Sequence, residues 1–388
     1  MYPTPVSLYL HIPFCRKICT YCAFNTYAGL NNLVLPYVTA LQREIEFVAR
    51  VRPELAIHTV FFGGGTPSMI SSEQLQSILN TVRSCFHLLD GAEITLEANP
   101  NDLNDSYLAD ILAAGINRLS IGMQSSQQSE LKMYGRQHDH ALTMQVVEYA
   151  RRIGFRNISL DLIFGNPNQA AGMWEETLDA ALDLSPDHIS LYGLEIKGGT
   201  VLKQQIEAGE LPLPDEETAA TMYEMARTRL KAHGFRHYEI SNWAKAGFEA
   251  RHNLQYWHHK PYLGLGAGAH GYIESQRTIV IRSPQKYITA MENTASQRQF
   301  PKTPATSKIT PVDREAELAE TIMVRLRLVE DGIDLKEIAE EFGVDLLATK
   351  AEQIERLLAL GMIEVSDERI RLSEKGHLLS TPVIAELY

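Results

Sequence analysis

Over its first two hundred residues the chain alternates apolar, β-branched segments with amphipathic ones, and this alternation restricts it to repeated βα units around a parallel sheet. Six strands are predicted, beginning near Ser7, Ile57, Ala92, Ile116, Asn157 and His188. Helical patterns follow them, such as Leu33 to Arg52, Ser72 to Cys85 and Ala141 to Ile153. Six units suggest an α/β fold of the incomplete (β/α)6 barrel type rather than eight-fold closure. A doubly wound sheet is the alternative, and periodicity alone does not separate the two.

Functional side chains in such folds gather where the strands end. The alternating strand Ser7 to Ile12 runs into a loop with Cys15, Cys19 and Cys22, three of the four cysteines of the chain. The spacing Cys-x3-Cys-x2-Cys lets three thiolates meet at one soft metal centre. Electron-transfer clusters take four cysteines, so three leave one position open. Zinc with His11 as fourth ligand is the alternative. A disulfide framework would need more cysteines and a secretory signal, neither of which is present, and Cys85 in its helical pattern reads as a buried, inert thiol.

The second strand runs into Gly63-Gly64-Gly65-Thr66-Pro67, where bare backbone can approach a ligand and point N–H groups at a carboxylate. Later strands deliver Glu97, Gln124 and Asp161, and the loop Tyr134 to His138 brings Arg136. Such residues equally cap helices or pair with one another.

Beyond Gly193 the pattern loosens. Leu211 to Asp215 reads as a linker and Glu216 to His233 as one amphipathic helix. Aromatic residues and histidines then crowd Phe235 to Trp243 and Arg251 to His259, which suggests a flat apolar ligand with an axial imidazole. The plainer reading is an aromatic mini-core with surface histidines. Gly264, Gly266 and Gly268 do not make a dinucleotide fingerprint, because no suitable strand is predicted before them and no acidic residue follows at the right distance.

Ser283 to Ser307 reads as a crossing segment between a large domain, residues 1–300, and a small one, residues 301–388. In the latter, helices over Asp313 to Leu328, Asp334 to Phe342 and Leu346 to Leu360, then a hairpin over Ile363 to Ser366 and Arg369 to Leu372, outline a winged helix. Residues 308–388 hold ten lysines and arginines against eighteen acidic residues, the reverse of a phosphate-binding footprint. The net charge of the whole chain, -12, likewise argues against nucleic acid or anionic lipid. No apolar run approaches the roughly 18 residues that would span a bilayer, so a cytoplasmic chain without an anchor is expected.

These residues resemble a known family. Cys15, Cys19 and Cys22, with Tyr21 before the last of them, are similar to the signature of radical S-adenosylmethionine (SAM) proteins, in which a [4Fe-4S] cluster binds SAM at its unique iron. Tyr9 to Cys15 resembles the oxygen-independent coproporphyrinogen III oxidase group, and Cys22-Ala23-Phe24 resembles its heme-chaperone branch, HemW. In the oxidases a fourth cysteine stands where this chain has Phe24. The resemblance implies cluster ligation by Cys15, Cys19 and Cys22, and SAM contacts at Tyr9, Gly64, Gly65, Thr66, Glu97, Gln124, Arg136 and Asp161. His252-Asn253-x-x-Tyr256-Trp257 matches the HNxxYW motif associated with heme in the HemW group, so heme contacts are implied at His252, Asn253, Tyr256 and Trp257, with His252 the heme-linked residue. His258 and His259 lie outside the motif and are read as solvated.

The implied function is a heme chaperone that passes heme to acceptor hemoproteins. Membrane-bound respiratory enzymes are among the acceptors to be expected, reached by transient membrane contact, and a homodimer is compatible with this role. The fourteen residues before Cys15 are expected to leave no room for the longer leading segment of the oxidases. The alternative is an oxygen-independent coproporphyrinogen III oxidase, in which a radical from cleaved SAM takes hydrogen from a propionate side chain and decarboxylation leaves a vinyl group. No catalytic residue is assigned.

Overall fold

The computed structural model describes residues 5–292 and 299–388. Six parallel strands appear as β1 (Val6–Ile12), β2 (Ala56–Gly64), β3 (His87–Ala98), β4 (Arg118–Gln124), β5 (Ile158–Phe164) and β6 (His188–Gly193). They lie side by side in chain order. A doubly wound sheet would reverse its order at a switch point, so this sequential winding is that of a barrel.

The sheet continues at both ends. Beyond β6 come two antiparallel strands, β7 (Arg236–Glu239) and β8 (Asn242–Ala244), in the order β6-β8-β7. Beyond β1 lies β9 (Tyr262–Leu265), parallel to it, followed by the antiparallel strands β10 (His270–Ile273), β11 (Gln276–Val280) and β12 (Thr306–Pro311). The outermost strands β7 and β12 do not pair with each other, so the barrel is incomplete.

Three sequence expectations change here. A strand does lie at the glycines, holding Gly264 and preceding Gly266 and Gly268, because β9 is completed by its pairing with β1 and not by its own short sequence. The expected crossing segment Ser283 to Ser307 contains a helix, Pro284–Glu292, and the start of β12, while its residues 293–298 lie outside the described residues. The third strand starts at His87 rather than Ala92, since His87 and Leu88 already pair with Ala56 and Ile57 before the register shifts.

Alternation along the strands separates two environments. Leu119, Ile121 and Met123 of β4 join the apolar core under the helices, whereas Ser120 bonds across to Asp161 of β5. Helix starts are set by local capping: Ser71 and Gln74 exchange bonds of 3.3 and 3.0 Å at the head of Ser72–Cys85, a capping box.

The C-terminal part has its own core, in which Ile322, Leu326, Ile338, Phe342, Ile354, Leu357 and Ile370 are buried. Helices Arg314–Arg325, Leu335–Phe342 and Ala351–Ala359 surround a three-stranded sheet of Ile333–Asp334, Arg369–Leu372 and Ile363–Val365, the winged-helix outline. This part clasps the barrel edge: Ile240 N–H donates to Arg327 O and Val329 N–H to Tyr238 O, each at 3.1 Å. No helix among the described residues is long and apolar enough to cross a membrane.

Candidate cluster and ligand site at the barrel mouth

The loop after β1 is closed at its base, where Phe14–Cys15 pairs in parallel with Tyr27–Ala28. Between these anchors the loop is tied to distant elements. Thr20 donates to Tyr134 O (backbone N–H, 3.0 Å) and to Met133 O (hydroxyl, 2.7 Å). Asn25 Nδ2 donates to Ala267 O and Arg282 O, both at 3.0 Å. Arg16 Nε donates to Asp102 at 2.6 Å.

The cysteines are unpaired; Cys15 is buried, and Cys19 and Cys22 are half-buried. Thr66 hydroxyl donates to Cys15 Sγ at 3.4 Å. Burial pushes the Cys15 thiol up to about 11, Thr66 opposes that, and the thiols of Cys22 and Cys19 add to it. Zinc held with His11 does not fit, because both ring nitrogens of His11 are engaged, Nδ1 by Tyr9 Oη at 2.9 Å and Nε2 by Asn25 O at 3.0 Å. Among the described residues no three Cys, His, Asp or Glu side chains converge on a single-ion site.

The glycine turn lies against this loop. Gly65 N–H donates to Ile12 O and Thr66 N–H to Phe14 O, each at 2.8 Å. Gly64, at φ +116°, donates to Glu97 Oε2 at 3.1 Å. A Cβ at Gly65 would lie 2.6 Å from Phe14 O, so the backbone fits here only bare. Glu97 is half-buried; desolvation and then the Asp161 charge push its carboxyl up to about 7. Asp161 accepts from Ser120 at 3.0 and 3.1 Å, and burial raises its carboxyl too. Gln124 ends β4 at φ +66°, and its Nε2 lies 2.8 Å from where a Cβ on Gly122 would stand, with the Arg136 guanidinium nitrogens 3.6 Å from that same point. Arg136 donates from one terminal nitrogen to Tyr21 Oη at 3.0 Å, and its buried Nε has no partner among the described residues.

The Glu97 carboxyl carries a measurable consequence. Its unfolded value lies near 4.5, so between about 4.5 and 7 the folded protein binds a proton that the unfolded chain releases. Stability from this group is present at low pH and is lost as pH rises through that window, by up to about 3 kcal/mol in the ligand-free protein. Urea unfolding of Glu97→Gln at pH 5 and at pH 8 is expected to lack this component of the parent's decline. An equal decline in both proteins would contradict it.

The histidine-rich stretch holds a different position from the one expected. Helix Arg251–Trp257 opens with Arg251 and His252 N–H groups on the Glu93 carboxylate, each at 3.0 Å. His252 is 1% exposed. Its Nδ1 is bonded to Thr59 Oγ1 and its Nε2 to Tyr256 Oη, both at 2.8 Å. An imidazole with both nitrogens engaged has no lone pair to offer heme iron, so the expected ligation does not fit this geometry. The motif is also divided: Tyr256 faces inward with His252, Trp257 lies under Arg327 of the C-terminal part at 4.7 Å, and Asn253 is half-buried. Nor is His259 solvated, since it bonds Glu320 at 3.2 Å and Thr321 at 2.9 Å and stacks on Tyr272. His258 is half-buried.

Two polar residues that the sequence reading passed over anchor this architecture. Asn25 left no signal. Glu44 did: it stands on the buried stripe of helix Val34–Val51 with Ala40, Leu41 and Val48.

Residues 9–181 match the radical SAM superfamily and residues 312–379 the HemN C-terminal domain. The curated heme chaperone HemW of Bacillus subtilis (strain 168) is 38% identical over 380 residues, spanning 97% of this chain and 97% of that protein. This chain belongs to the HemW family of radical SAM proteins. A second HemW relative, from Mycobacterium tuberculosis (strain ATCC 25618 / H37Rv), is 35% identical over 387 residues, 99% of this chain and 95% of that one. The solved structure of coproporphyrinogen III oxidase (HemN) from Escherichia coli superposes with a TM-score of 0.85 at 22% identity, over 99% of this chain and 90% of that chain, which establishes a shared fold. Membership of the HemW family within the radical SAM superfamily implies SAM and a [4Fe-4S] cluster as cofactors.

Proposed function

We propose that this chain carries heme to acceptor hemoproteins, with a [4Fe-4S] cluster and SAM held at the barrel mouth. The observation that carries this reading is at position 24. Phe24, where the oxidases would have a fourth cysteine, is 75% exposed on the cluster loop. The full-length likeness to proteins curated as heme chaperones supports the same reading.

The residues fit the implied cofactors. Cys15, Cys19 and Cys22 are unpaired on one loop, and they would each take a separate iron of the cluster. The turn Gly64 to Thr66, its N–H groups held by Glu97, Ile12 and Phe14, would border the methionyl end of SAM, and Tyr9, Glu97, Gln124 and Asp161 would complete the ring. The partnerless Nε of Arg136 is the donor such a ligand would satisfy. The cluster, when bound, supplies an open iron position for SAM and an electron for its cleavage. Heme carriage itself is ligand exchange at iron and makes no bond in the macrocycle. Asn253 and Trp257 remain heme contacts in this reading, and iron ligation by His252 does not. The acidic C-terminal part, taken from residue 301, serves as a protein-facing or lid-like element.

The test is hemin titration followed by mixing with an apo-hemoprotein such as apomyoglobin. Uptake of one hemin per chain and its passage to the acceptor are expected. Cys19→Ala is expected to lose the cluster's visible absorption and keep hemin uptake. Failure to take up or release hemin in the parent protein would overturn the reading.

A further inference from the structure

The HNxxYW histidine is left without a part in heme ligation, yet it is among the most tightly held side chains of the barrel. We infer that His252 is a positioning residue for the SAM pocket, fixing the aromatic floor on which Tyr9 stands. The inference rests on the proposed assignment of Tyr9 to SAM.

Tyr9 of β1 and Phe61 of β2 are paired in register, and their rings stack at 6.1 Å. His252 lies against both, stacked on Phe61 at 4.9 Å and tilted to Tyr9 at 6.4 Å. Its ring cannot turn, because Thr59 and Tyr256 hold opposite nitrogens while Glu93 holds its backbone N–H. Thr59 is in turn bonded to Ser7 at 2.6 Å, which ties the imidazole to both strands that carry the stacked rings.

The space is tight from above as well. A Cβ on Gly63 would come within 2.9 Å of Tyr9 and 2.8 Å of Phe61. Displacing the imidazole therefore moves Phe61 and Tyr9 together, and Tyr9 Oη loses its place on His11. A neutral ring suits these contacts, donating from one nitrogen and accepting at the other, with hydroxyl partners that adapt to either tautomer. Burial, together with nearby His58 and Arg118, keeps it neutral by pushing its pKa down to about 3.

The experiment measures SAM affinity by equilibrium dialysis on cluster-reconstituted Tyr9→Leu, His252→Leu, His252→Gln and Tyr256→Phe, with hemin uptake and heme magnetic circular dichroism on the same samples. Tyr9→Leu and His252→Leu are each expected to weaken SAM binding about tenfold or more. His252→Gln should recover most of that, since an amide can serve both hydroxyls. Tyr256→Phe removes one bond and keeps the packing, so it probes the same link without opening the core; a loss of about threefold is expected. Cluster content and the heme spectrum should stay at parent values throughout. SAM affinity unchanged in His252→Leu and Tyr256→Phe but weakened in Tyr9→Leu would overturn the positioning role alone. Unchanged affinity in Tyr9→Leu would overturn the pocket assignment beneath it. Loss of an imidazole-ligand signature from bound heme in His252→Gln would overturn the inference in favour of iron ligation.

Discussion

Gly64→Ala is expected to weaken SAM binding at least about 100-fold while the protein still folds. Gly64 sits at φ +116°, a conformation that costs an L residue roughly 1–3 kcal/mol. The added Cβ would lie 2.8 Å from His11 Nε2 and 2.6 Å from Nδ1, in steric overlap with the imidazole. That ring has no free rotation, because Tyr9 and Asn25 hold its two nitrogens. The strain therefore passes to Tyr9 on one side and to the cluster loop through Asn25 on the other. The backbone shift that relieves the clash also carries the N–H of residue 64, which alanine keeps, away from the Glu97 carboxylate that it now fixes. Equilibrium dialysis gives the affinity and far-ultraviolet circular dichroism the fold. An affinity within about threefold of the parent would contradict this account of the turn.

The second large effect lies away from the mouth. Glu44→Leu is expected to destabilise the protein by about 3–6 kcal/mol, because three donors lose one acceptor group in the core. Gly266 N–H donates to the Glu44 carboxylate at 2.9 Å, Tyr287 Oη at 2.7 Å and Thr303 Oγ1 at 2.7 Å. Burial raises this carboxyl and the three donors oppose the rise. The bonds draw the glycine turn after β9 onto helix Val34–Val51, where Tyr37 accepts from Ala267 N–H at 2.8 Å and donates to His11 O at 2.7 Å. A melting-temperature drop on the order of 10 °C follows from the usual scaling. Glu44→Gln keeps one acceptor oxygen and is expected to fall between the two. A leucine variant that melts within about 1 °C of the parent would contradict the role given to this carboxylate.

The barrel was legible because its signal is periodic. Leu8, Leu10 and Ile12 are buried with no measurable exposure, and the matching residues of the next strands repeat the pattern. What escaped depended on contacts between distant segments. β9 has four residues with Gly264 among them, and it is a strand because β1 lies beside it. Helix Pro284–Glu292 was hidden in Ser- and Pro-rich composition, although Tyr287 and Met291 stand four apart and are fully buried. The third strand is expected only from Ala92, whereas Gly91 at φ +69° is accommodated within it by a register shift against β2. The cysteine spacing and the strand-end polar residues were visible in the sequence. The direction of the His252 ring was not, since its partners Thr59 and Glu93 lie far away in the chain. His259 was misread for the same reason, its partner Glu320 being 61 residues distant.

The measurement that tests heme carriage most directly is an anaerobic incubation of the cluster-reconstituted protein with SAM, a reductant and coproporphyrinogen III, followed by mass spectrometry of the porphyrinogens. With Phe24 in place of a fourth cysteine, the account expects the substrate to be recovered without decarboxylation, in a sample that still takes up hemin and passes it on. Decarboxylated porphyrinogen formed in multiple turnovers would contradict it, and would make this HemW-family chain an oxidase.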